Sequence, residues 1–321
     1  MTSLRGVAAC VLAATVSQAY AAETYPSHPI RMIVPTGAGG VTDVLGRVIA
    51  HKLGESLGQQ VVIDNRPGAS GIVGSQIVAG AAPDGYTLLM VFPTHVVNPY
   101  LFKSVPYDTV KAFAPVTTVS TVSLLLTVNP DLPVKSTQEL IAYAKAKPGQ
   151  LNYGTVGSGS LGHLGAELFR SMSGTRVTQI AYKGSPQVLA ALIGGEINLY
   201  MIASISGAMP QIKSGRVRAL GVSTKQSLPA LPNVPPIADA LPGYEARGWN
   251  GILAPAGTPK AIIEKLHQEI VKIVRSPDFA KNLIAEGATA VGNTPEEFAA
   301  MIRADMKKWA AVISEAGIKG E

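Results

Sequence analysis

Cysteine is almost absent from this sequence. The chain has 321 residues, and its one cysteine, Cys10, lies in an amino-terminal segment that we expect to be removed. The remaining chain then has no thiol, which excludes disulfides, thiolate metal sites and cysteine nucleophiles. A chain without disulfides must be stabilised by its core, and this length is sufficient for two domains of roughly 100–200 residues each.

Long apolar segments are also absent. The apolar run over residues 7–16 is too short for a membrane span of about 20 residues, and no later segment is long and apolar enough. Arg5 precedes this run and Ala19-Tyr20-Ala21 follows it, which is the arrangement of an export signal with a small-residue cleavage site. We therefore predict a signal peptide over residues 1–21, cleavage after Ala21, and a soluble periplasmic protein.

The sequence has no block of like charge. The precursor has 27 basic and 21 acidic residues, and loss of Arg5 leaves 26 basic residues and a net charge of +5. The basic residues are scattered and are not interleaved with aromatic residues, which argues against a nucleic-acid partner. The mild positive charge favours anionic ligands, although solvated surface charges are the simpler explanation.

Motifs for hydrolysis and for metal binding are missing. Neither Ser158 nor Ser160 has the flanking glycine pair of a Gly-x-Ser-x-Gly elbow. The histidines show no HExxH or other zinc spacing. They stand at positions 28, 51, 95, 163 and 267. We therefore predict neither an enzyme nor a metal site, and a secreted hydrolase that uses Ser160 stays only as a remote alternative.

Strand-like and helix-like segments alternate along the chain, which predicts an α/β fold with mainly parallel sheets. Proline-rich stretches at residues 127–135 and 228–237 mark places where the chain could pass between domains. Two such crossings would build one domain from residues 22–125 plus 228–321 and a second domain from residues 126–227. A ligand would then lie in the cleft between the two domains.

Four serine or threonine residues precede helix-like segments and are expected to cap them. Ser70 would cap a helix over residues 71–81, and Ser185 would cap one that has proline at its first position. Ser136 and Thr294 each stand three residues before a glutamate, which is the pattern of a capping box. These signals set the expected starts of four helices.

One glycine-rich stretch has the spacing of a dinucleotide-binding loop. The segment YGTVGSGSLGHL contains Gly157-x-Gly159-x-x-Gly162. A dinucleotide site also needs an acidic residue about 20 positions further on, at the end of the next strand, to bind the ribose. No acidic residue lies between Glu167 and Glu196, so we predict that no cofactor binds here.

Two glycine-rich loops predict an anion site instead. Each follows a strand and opens a helix, so backbone N–H groups are uncovered at the positive end of the helix dipole. Facing each other across a cleft, the two helix starts could bind a carboxylate without an arginine. The simpler interpretation, that the glycines only turn and the serine only caps, stays open. The first loop contains Gly39, Gly40, Val41, Thr42 and Asp43, and the second contains Ser158, Gly159 and Ser160.

Further side chains lie where such a cleft is expected. Phe92 and Thr94 follow a strand and would line the pocket, although Phe92 equally well packs in a core. His163, in the first turn of its helix, would donate to the ligand or bond to a neighbouring loop. Asp43 would cap its helix or bind a ligand amine through water, and Lys183 would be a solvated charge or a ligand clamp.

Longer motifs extend over essentially all of residues 24–319. They are PTGAGGVTDVLGR, GQQVVIDNRPGASGIVGSQIVAGAAPDGYTLL, LNYGTVGSGSLGHLGAELF, AYKGSPQVLAALIGGEINLY, GRVRALGVST, LPGYEARGWNGILAPAGTP and WAAVISEAGIK. Together they resemble the Bug family of periplasmic solute-binding proteins, the receptors of tripartite tricarboxylate transporters. One position departs from the family: in GGEINLY, Asn198 stands where members commonly have aspartate, which changes either the pocket or only a strand end.

The resemblance implies a type II periplasmic binding fold, in which two α/β domains joined by two crossovers close on a small carboxylate by a hinge motion. It implies backbone amides and ordered water as the groups that bind the ligand. The pocket positions that it implies are Gly39 to Asp43, Gly159 to His163, and Tyr182, Lys183 and Gly184. We therefore predict a monomeric receptor that delivers a small organic carboxylate to membrane subunits of a transporter. A receptor that reports the same ligand to a sensor kinase is the alternative.

Overall fold

The structure is a computed structural model that describes residues 25–318 except residues 40, 158, 204 and 286. The predicted signal peptide lies outside the described residues. Strands and helices alternate along most of the chain, which confirms the α/β class. Within the described part, no helix is both long and apolar enough to span a bilayer.

The strands of the larger sheet are β1 (Ile30–Val34), β2 (Val61–Asn65), β3 (Thr87–Val91), β4 (Phe113–Ser123), β10 (Arg247–Pro255) and β11 (Ala288–Ala290). Those of the smaller sheet are β5 (Leu125–Val128), β6 (Leu151–Thr155), β7 (Val177–Ala181), β8 (Leu199–Ile202) and β9 (Arg218–Val222). The helices are α1 (Val41–Leu57), α2 (Ile72–Ala79), α3 (Thr94–Leu101), α4 (Thr137–Ala146), α5 (Leu161–Ser173), α6 (Ser185–Ile193), α7 (Ile205–Lys213), α8 (Lys260–Val274), α9 (Pro277–Ala285) and α10 (Pro295–Ala316). Short 3-10 turns cover Ala69–Gly71 and Ile237–Asp239.

Both sheets are mixed rather than mainly parallel. The strand orders are β11-β4-β10-β3-β1-β2 and β7-β6-β8-β5-β9. Strand β1 pairs in parallel with β2 and β3, and β6 pairs in parallel with β7 and β8. The antiparallel pairs belong to β10 and β5, which enter their sheets directly after the chain has passed from the other sheet, and to β11. These reversed strands are the reason that the prediction of mainly parallel sheets was wrong.

The chain passes between the sheets at two places that are bonded to each other. Only Leu124 separates β4 from β5, so the first passage precedes the proline-rich stretch over residues 127–135. The second passage, residues 223–246, contains the other proline-rich stretch. The N–H of Ser223 donates to the Leu124 carbonyl (2.9 Å), and the Leu124 N–H donates to the Ser223 hydroxyl (2.7 Å). The Ala246 N–H donates to the Ser223 carbonyl (3.2 Å), so one small cluster ties both passages together.

The two sheets share a hydrophobic core on the side of α10. One cluster of buried side chains includes residues from both sheets, and α10 packs against both α3 and α5. Trp249 and Trp309 are buried in this cluster. The indole N–H of Trp249 donates to the buried carboxylate of Asp305 (2.8 Å). Separate clusters cover the outer face of each sheet.

Two of the four predicted helix caps are present and two are wrong. Thr294 and Glu297 form the reciprocal capping box, and the Ser136 hydroxyl accepts from the N–H of residue 139 (3.1 Å). Ser70 instead lies inside a 3-10 turn with φ 53°, and α2 begins only after Gly71. Helix α6 begins at Ser185 itself, so that the cap position falls on the preceding glycine. In both cases the observed cap is a glycine beside the predicted serine: Gly71 follows Ser70, and Gly184 precedes Ser185.

Candidate functional site

The first glycine-rich loop joins β1 to α1. It lies at the carboxyl ends of the parallel strands β1, β2 and β3, the edge of an α/β sheet at which ligands bind. Gly39 is exposed and has φ 85°, a conformation that side-chain-bearing residues rarely adopt. Gly40 lies outside the described residues. Val41 is the first residue of α1, and the Thr42 hydroxyl donates to the side-chain oxygen of Asn250 on β10 (3.1 Å).

The buried carboxylate of Asp43 binds the first loop through hydrogen bonds. Its side chain is only 1% exposed, and its carboxylate accepts from the Gly39 N–H (2.8 Å), from Arg47 Nε (3.0 Å) and from Asn65 Nδ2 (2.8 Å). Burial alone would raise the pKa of Asp43, but these hydrogen bonds and the charge of Arg47 lower it to about 2. Asp43 is therefore ionised and fully engaged within the chain, and the Gly39 N–H is already donated to it.

A strained turn beside the first loop was not foreseen from the sequence. Ala69 and Ser70 both have positive φ, 43° and 53°, which is uncommon for residues with a side chain. Two donors from α3 hold the Ser70 carbonyl: the Thr94 hydroxyl (2.8 Å) and Asn98 Nδ2 (3.1 Å). The ring of Phe92 lies beside Gly71, at the end of the same turn. Phe92 and Thr94 thus shape the rim of the first loop. In the sequence, the glycines that flank Ala69-Ser70 were the available signal of the strained turn.

The second residue of α3, His95, points into the interior of the protein. The ring is 2% exposed, its Nε2 lies 3.2 Å from the Thr109 carbonyl, and it packs edge-on against Phe113. Burial lowers the pKa of His95 to about 4, although the hydrogen bond to Thr109 opposes this shift. His95 is therefore neutral near pH 7 and holds α3 in place through its contacts with Thr109 and Phe113.

The second glycine-rich loop joins β6 to α5 and is built in the same way as the first. Ser158 lies outside the described residues, and Gly159 has φ 72°. Ser160 is the N-cap of α5, and its hydroxyl accepts from the His163 N–H (3.3 Å). The Gly159 N–H donates to Nδ1 of His163 (3.1 Å), whose side chain is 3% exposed. His163 therefore accepts from the loop that precedes its own helix, whereas the sequence suggested a bond to a neighbouring loop or to the ligand.

The second loop touches the part of the chain that forms the larger sheet. A Cβ atom on Gly159 would overlap with the side chain of Leu101, at the end of α3. Glycine at this position, which also has φ 72°, therefore allows a close approach to Leu101 without moving that side chain. The second loop therefore lies against the carboxyl-terminal half of α3, the helix that follows β3 of the larger sheet.

The segment after β7 joins the second loop at one edge of the smaller sheet. The Tyr182 N–H donates to the carbonyl of Thr155, the last residue of β6 (2.8 Å). Lys183 is exposed, its N–H donates to the Gln187 side chain (3.1 Å), and Gly184 is the residue before α6. These three residues lie beside the second loop, and the exposed Lys183 ammonium has the environment of a solvated charge.

Asn198 lies at the opposite edge of the smaller sheet. It precedes β8 and exchanges hydrogen bonds of 2.9 Å with Asn152 near the start of β6, so that each side-chain oxygen accepts from the other residue's N–H. The second loop follows the far end of β6. The departure from aspartate at position 198 therefore affects a strand end and not the loops.

The described residues contain no group of three or more His, Cys, Asp or Glu side chains placed to hold a metal ion. A cavity of about 20 Å³ lies under α5 between Tyr153, Phe169 and Met201, which is room for about one water molecule. The two loops can therefore offer a ligand hydrogen bonds from the backbone N–H groups at two helix starts. The neutral side chain of His163 lies beside one of them.

Comparison with known proteins identifies the family. The sequence pattern of the tripartite tricarboxylate transporter family receptor, TctC, matches residues 45–318. Protein BugT of Bordetella pertussis is 37% identical over 323 residues, which cover 99% of each chain. The resemblance to Bug proteins is thus confirmed.

Solved structures agree with this assignment. Rpa4515 of R. palustris with adipate is 36% identical, with a TM-score of 0.76 over 92% of this chain and 100% of that chain. MatC from Rhodopseudomonas palustris, with bound malate, is 29% identical, with a TM-score of 0.72 over 90% of this chain and 100% of that chain. The predicted solute-binding fold is confirmed. The chain belongs to the family of tripartite tricarboxylate transporter receptors.

Proposed function

We propose that this protein captures a small organic carboxylate between its two glycine-rich loops and delivers it to the membrane subunits of a tripartite tricarboxylate-type transporter. The observation that carries the proposal is the pair of strand–glycine–helix loops, one on each sheet, with the second loop seated on α3 of the larger-sheet part. Relatives solved with adipate and malate support a carboxylate as the ligand class.

The two sheets would move as domains, residues 22–125 plus 228–321 and residues 126–227. The bonded cluster of Leu124, Ser223 and Ala246 supports this division, because it places both chain passages at one point that can act as a hinge. Closure about this hinge would bring the loops together around the ligand and exclude water, which strengthens hydrogen bonds to a charged group.

The anion would be bound mainly by amides in the first turns of α1 and α5, since the N–H groups of Gly39 and Gly159 are donated to side chains of the protein. Each hydrogen bond to a charged acceptor contributes roughly 1.5–3 kcal/mol, and each helix end contributes roughly 0.3–1 kcal/mol. A few such contacts, less the cost of association, reach the roughly 8 kcal/mol of a micromolar complex.

Calorimetric titration with mono-, di- and tricarboxylates, each beside its amidated analogue, tests this proposal. We expect heat of binding from at least one acid and none from its amide. Binding of uncharged analogues alone would contradict carboxylate recognition. A structure of the complex with the acid group paired to a lysine, and with both loops empty, would contradict the role of the amides.

We also propose that the mature protein is an exported monomer that begins after Ala21 and acts as a receptor rather than as an enzyme. Ser160 serves as a helix cap, which argues against a nucleophilic role for this serine. Amino-terminal sequencing of the periplasmic fraction and light scattering test processing and oligomeric state. An ester turnover abolished by Ser160→Ala would contradict the non-enzymatic role.

A further inference from the structure

The two ligand loops are closed by equivalent hydrogen bonds. In each, the third residue of the following helix reaches back four positions to the N–H of a glycine with positive φ. Asp43 accepts from Gly39 at 2.8 Å, and His163 accepts from Gly159 at 3.1 Å. Both accepting side chains are buried. The two loops therefore share one closing contact, made by two different kinds of side chain.

The two closing contacts differ in how they respond to protons. The Asp43 carboxylate also accepts from Arg47 and Asn65, and its pKa of about 2 keeps it ionised throughout the physiological range. At His163 a backbone N–H can only donate, so Nδ1 must be unprotonated and the ring proton must lie on Nε2. A doubly protonated imidazolium has no acceptor and cannot make this bond.

We propose that His163 is a positioning residue for the ligand: its neutral imidazole holds Gly159 and the second loop in the binding form, and protonation of the ring releases that loop while Asp43 keeps the first loop closed. The inference rests on the proposed carboxylate function for its effect on affinity. The closing contact itself can be tested without any ligand.

The groups around His163 determine the direction in which its pKa is shifted. Burial lowers the pKa of His163, the Glu167 carboxylate on the same helix opposes this, and Arg170 adds to it. Glu167 is itself held by the Tyr153 hydroxyl of β6 and by Arg170 Nε (2.9 Å). Four charged groups on α10 and β10, the helix and the strand that also pack on α5, have partners of their own. They are Asp305 with Trp249 and Lys308, Glu315 with Ser171, and Arg247 with Glu245.

The resulting pH window follows from the lowered pKa. The neutral ring is the stable form in the folded protein, so the closing contact is complete above the ordinary histidine pKa of about 6.5. It is lost progressively as pH falls through the lower pKa of the folded state. Carboxylate affinity should therefore weaken as pH falls through this lowered pKa, by the value of one hydrogen bond, on the order of 5-fold.

Three variants separate positioning from other effects. In His163→Asn the amide oxygen takes the place of Nδ1 on Cγ but does not titrate, whereas His163→Leu has no acceptor. His51→Asn, at an exposed histidine on α1, is the matched control. Calorimetry with malate or adipate at pH 7.5 and at a pH below the midpoint of the His163 ring titration, located by nuclear magnetic resonance, measures the ratio of the two Kd values. The ligand's own protonation affects every variant equally and cancels when these ratios are compared.

We expect a Kd ratio in the wild type and in His51→Asn that is about 5-fold larger than in His163→Asn, with weak binding by His163→Leu at both pH values. Equal ratios in the wild type and His163→Asn would overturn the proposal. His163→Asn keeps the test decisive if the leucine variant fails to fold.

Nuclear magnetic resonance of the ligand-free protein tests the closing contact alone. With ¹⁵N-labelled histidine we expect an unprotonated Nδ1 at pH 7.5, and a lower protection of the Gly159 amide, relative to its intrinsic exchange rate at each pH, as the ring becomes protonated. A protonated Nδ1 at pH 7.5, or a Gly159 amide indifferent to the titration, would overturn the role of His163. If the wild type bound no carboxylate at any pH, the proposed function would fail while these spectra still decided the role of His163.

Discussion

At the scale of single residues, the first glycine-rich loop depends on a carboxylate that is almost completely buried. Asp43 satisfies three donors at once, from Gly39, Arg47 and Asn65. Because its pKa is lowered to about 2, the ionised form is favoured by folding. This stabilisation is present above the ordinary aspartate pKa and is lost as pH falls toward 2.

Replacing Asp43 by asparagine should therefore lower the free energy of unfolding by about 2 kcal/mol at pH 7, since the amide nitrogen would face a donor. Urea denaturation measures the loss, and the difference from wild type should shrink between pH 4 and pH 2. Asp131→Asn, at an exposed carboxylate, is the control and should change stability by less than about 0.5 kcal/mol. A loss of unfolding free energy that does not vary with pH would indicate that the substitution acts through packing and not through charge.

His95 makes a second prediction at this scale. Its pKa is lowered to about 4 by burial, so the unfolded chain binds the proton more readily than the folded one. The stability that neutral His95 provides is complete above about pH 6.5 and is lost as pH falls to about 4, which amounts to roughly 3 kcal/mol.

His95→Gln should remove most of this decline, because its amide nitrogen can still donate to the Thr109 carbonyl but does not titrate. Urea unfolding at several pH values between 7 and 4 measures the slope of the free energy of unfolding against pH for the wild type and for His95→Gln. His51→Gln should keep the wild-type slope. Parallel slopes for the wild type and His95→Gln would show that other groups govern acid stability.

At the scale of elements, the packing of α10 on β10 depends on one glycine. A Cβ atom on Gly251 would overlap with the ring of Phe298, which is fully buried and stacks edge-on against Trp249. An added methyl group would have to displace this ring, and a packed core transmits such a change to its neighbours. The contact fixes how closely the helix approaches the sheet.

Gly251→Ala should accordingly lower stability by about 1–3 kcal/mol through overpacking. Thermal and urea unfolding measure the effect. Gly37→Ala is the matched control, since its Cβ would meet nothing within 4 Å, and it should lose no stability. Equal stability of both variants would mean that Phe298 can move at no cost.

The elements also show which parts of the fold can be predicted from sequence. The Thr294 capping box was predictable because its bonds lie within four residues. The insertion of β10 between β3 and β4 was not, because it joins residues more than 120 positions apart. At the site, glycine spacing located both loops. That Gly39 and Gly159 donate to Asp43 and His163 depends on side-chain direction, which spacing alone does not determine.

At the scale of the whole molecule, the shared core links the two sheets energetically. One buried cluster extends from β3 through Trp249 and α10 to β6 and α5. Loss of either sheet would expose the apolar surface that the other sheet and α10 cover, at roughly 25 cal/mol for each Å². Neither sheet is therefore expected to unfold independently.

Scanning calorimetry should show a single heat-absorption peak with a van't Hoff enthalpy close to the calorimetric one. Hydrogen exchange of β1 and of β6 should then report the same opening free energy within error. Val312→Ala, in the buried face of α10, should lower both values together. Two resolved peaks, or loss of protection in one sheet only, would contradict a shared core.

Strand β10 has a consequence for how the molecule is made. It fills the middle of the larger sheet, between β3 and β4, although it is among the last strands to be synthesised. A nascent chain that ends before residue 247 therefore carries the paired strands β3, β1 and β2 and a separate β4, without the strand that joins them. Late arrival of a central strand postpones folding until most of the polypeptide exists. For a chain that is threaded through a translocon while extended, this postponement lengthens the interval in which threading can succeed.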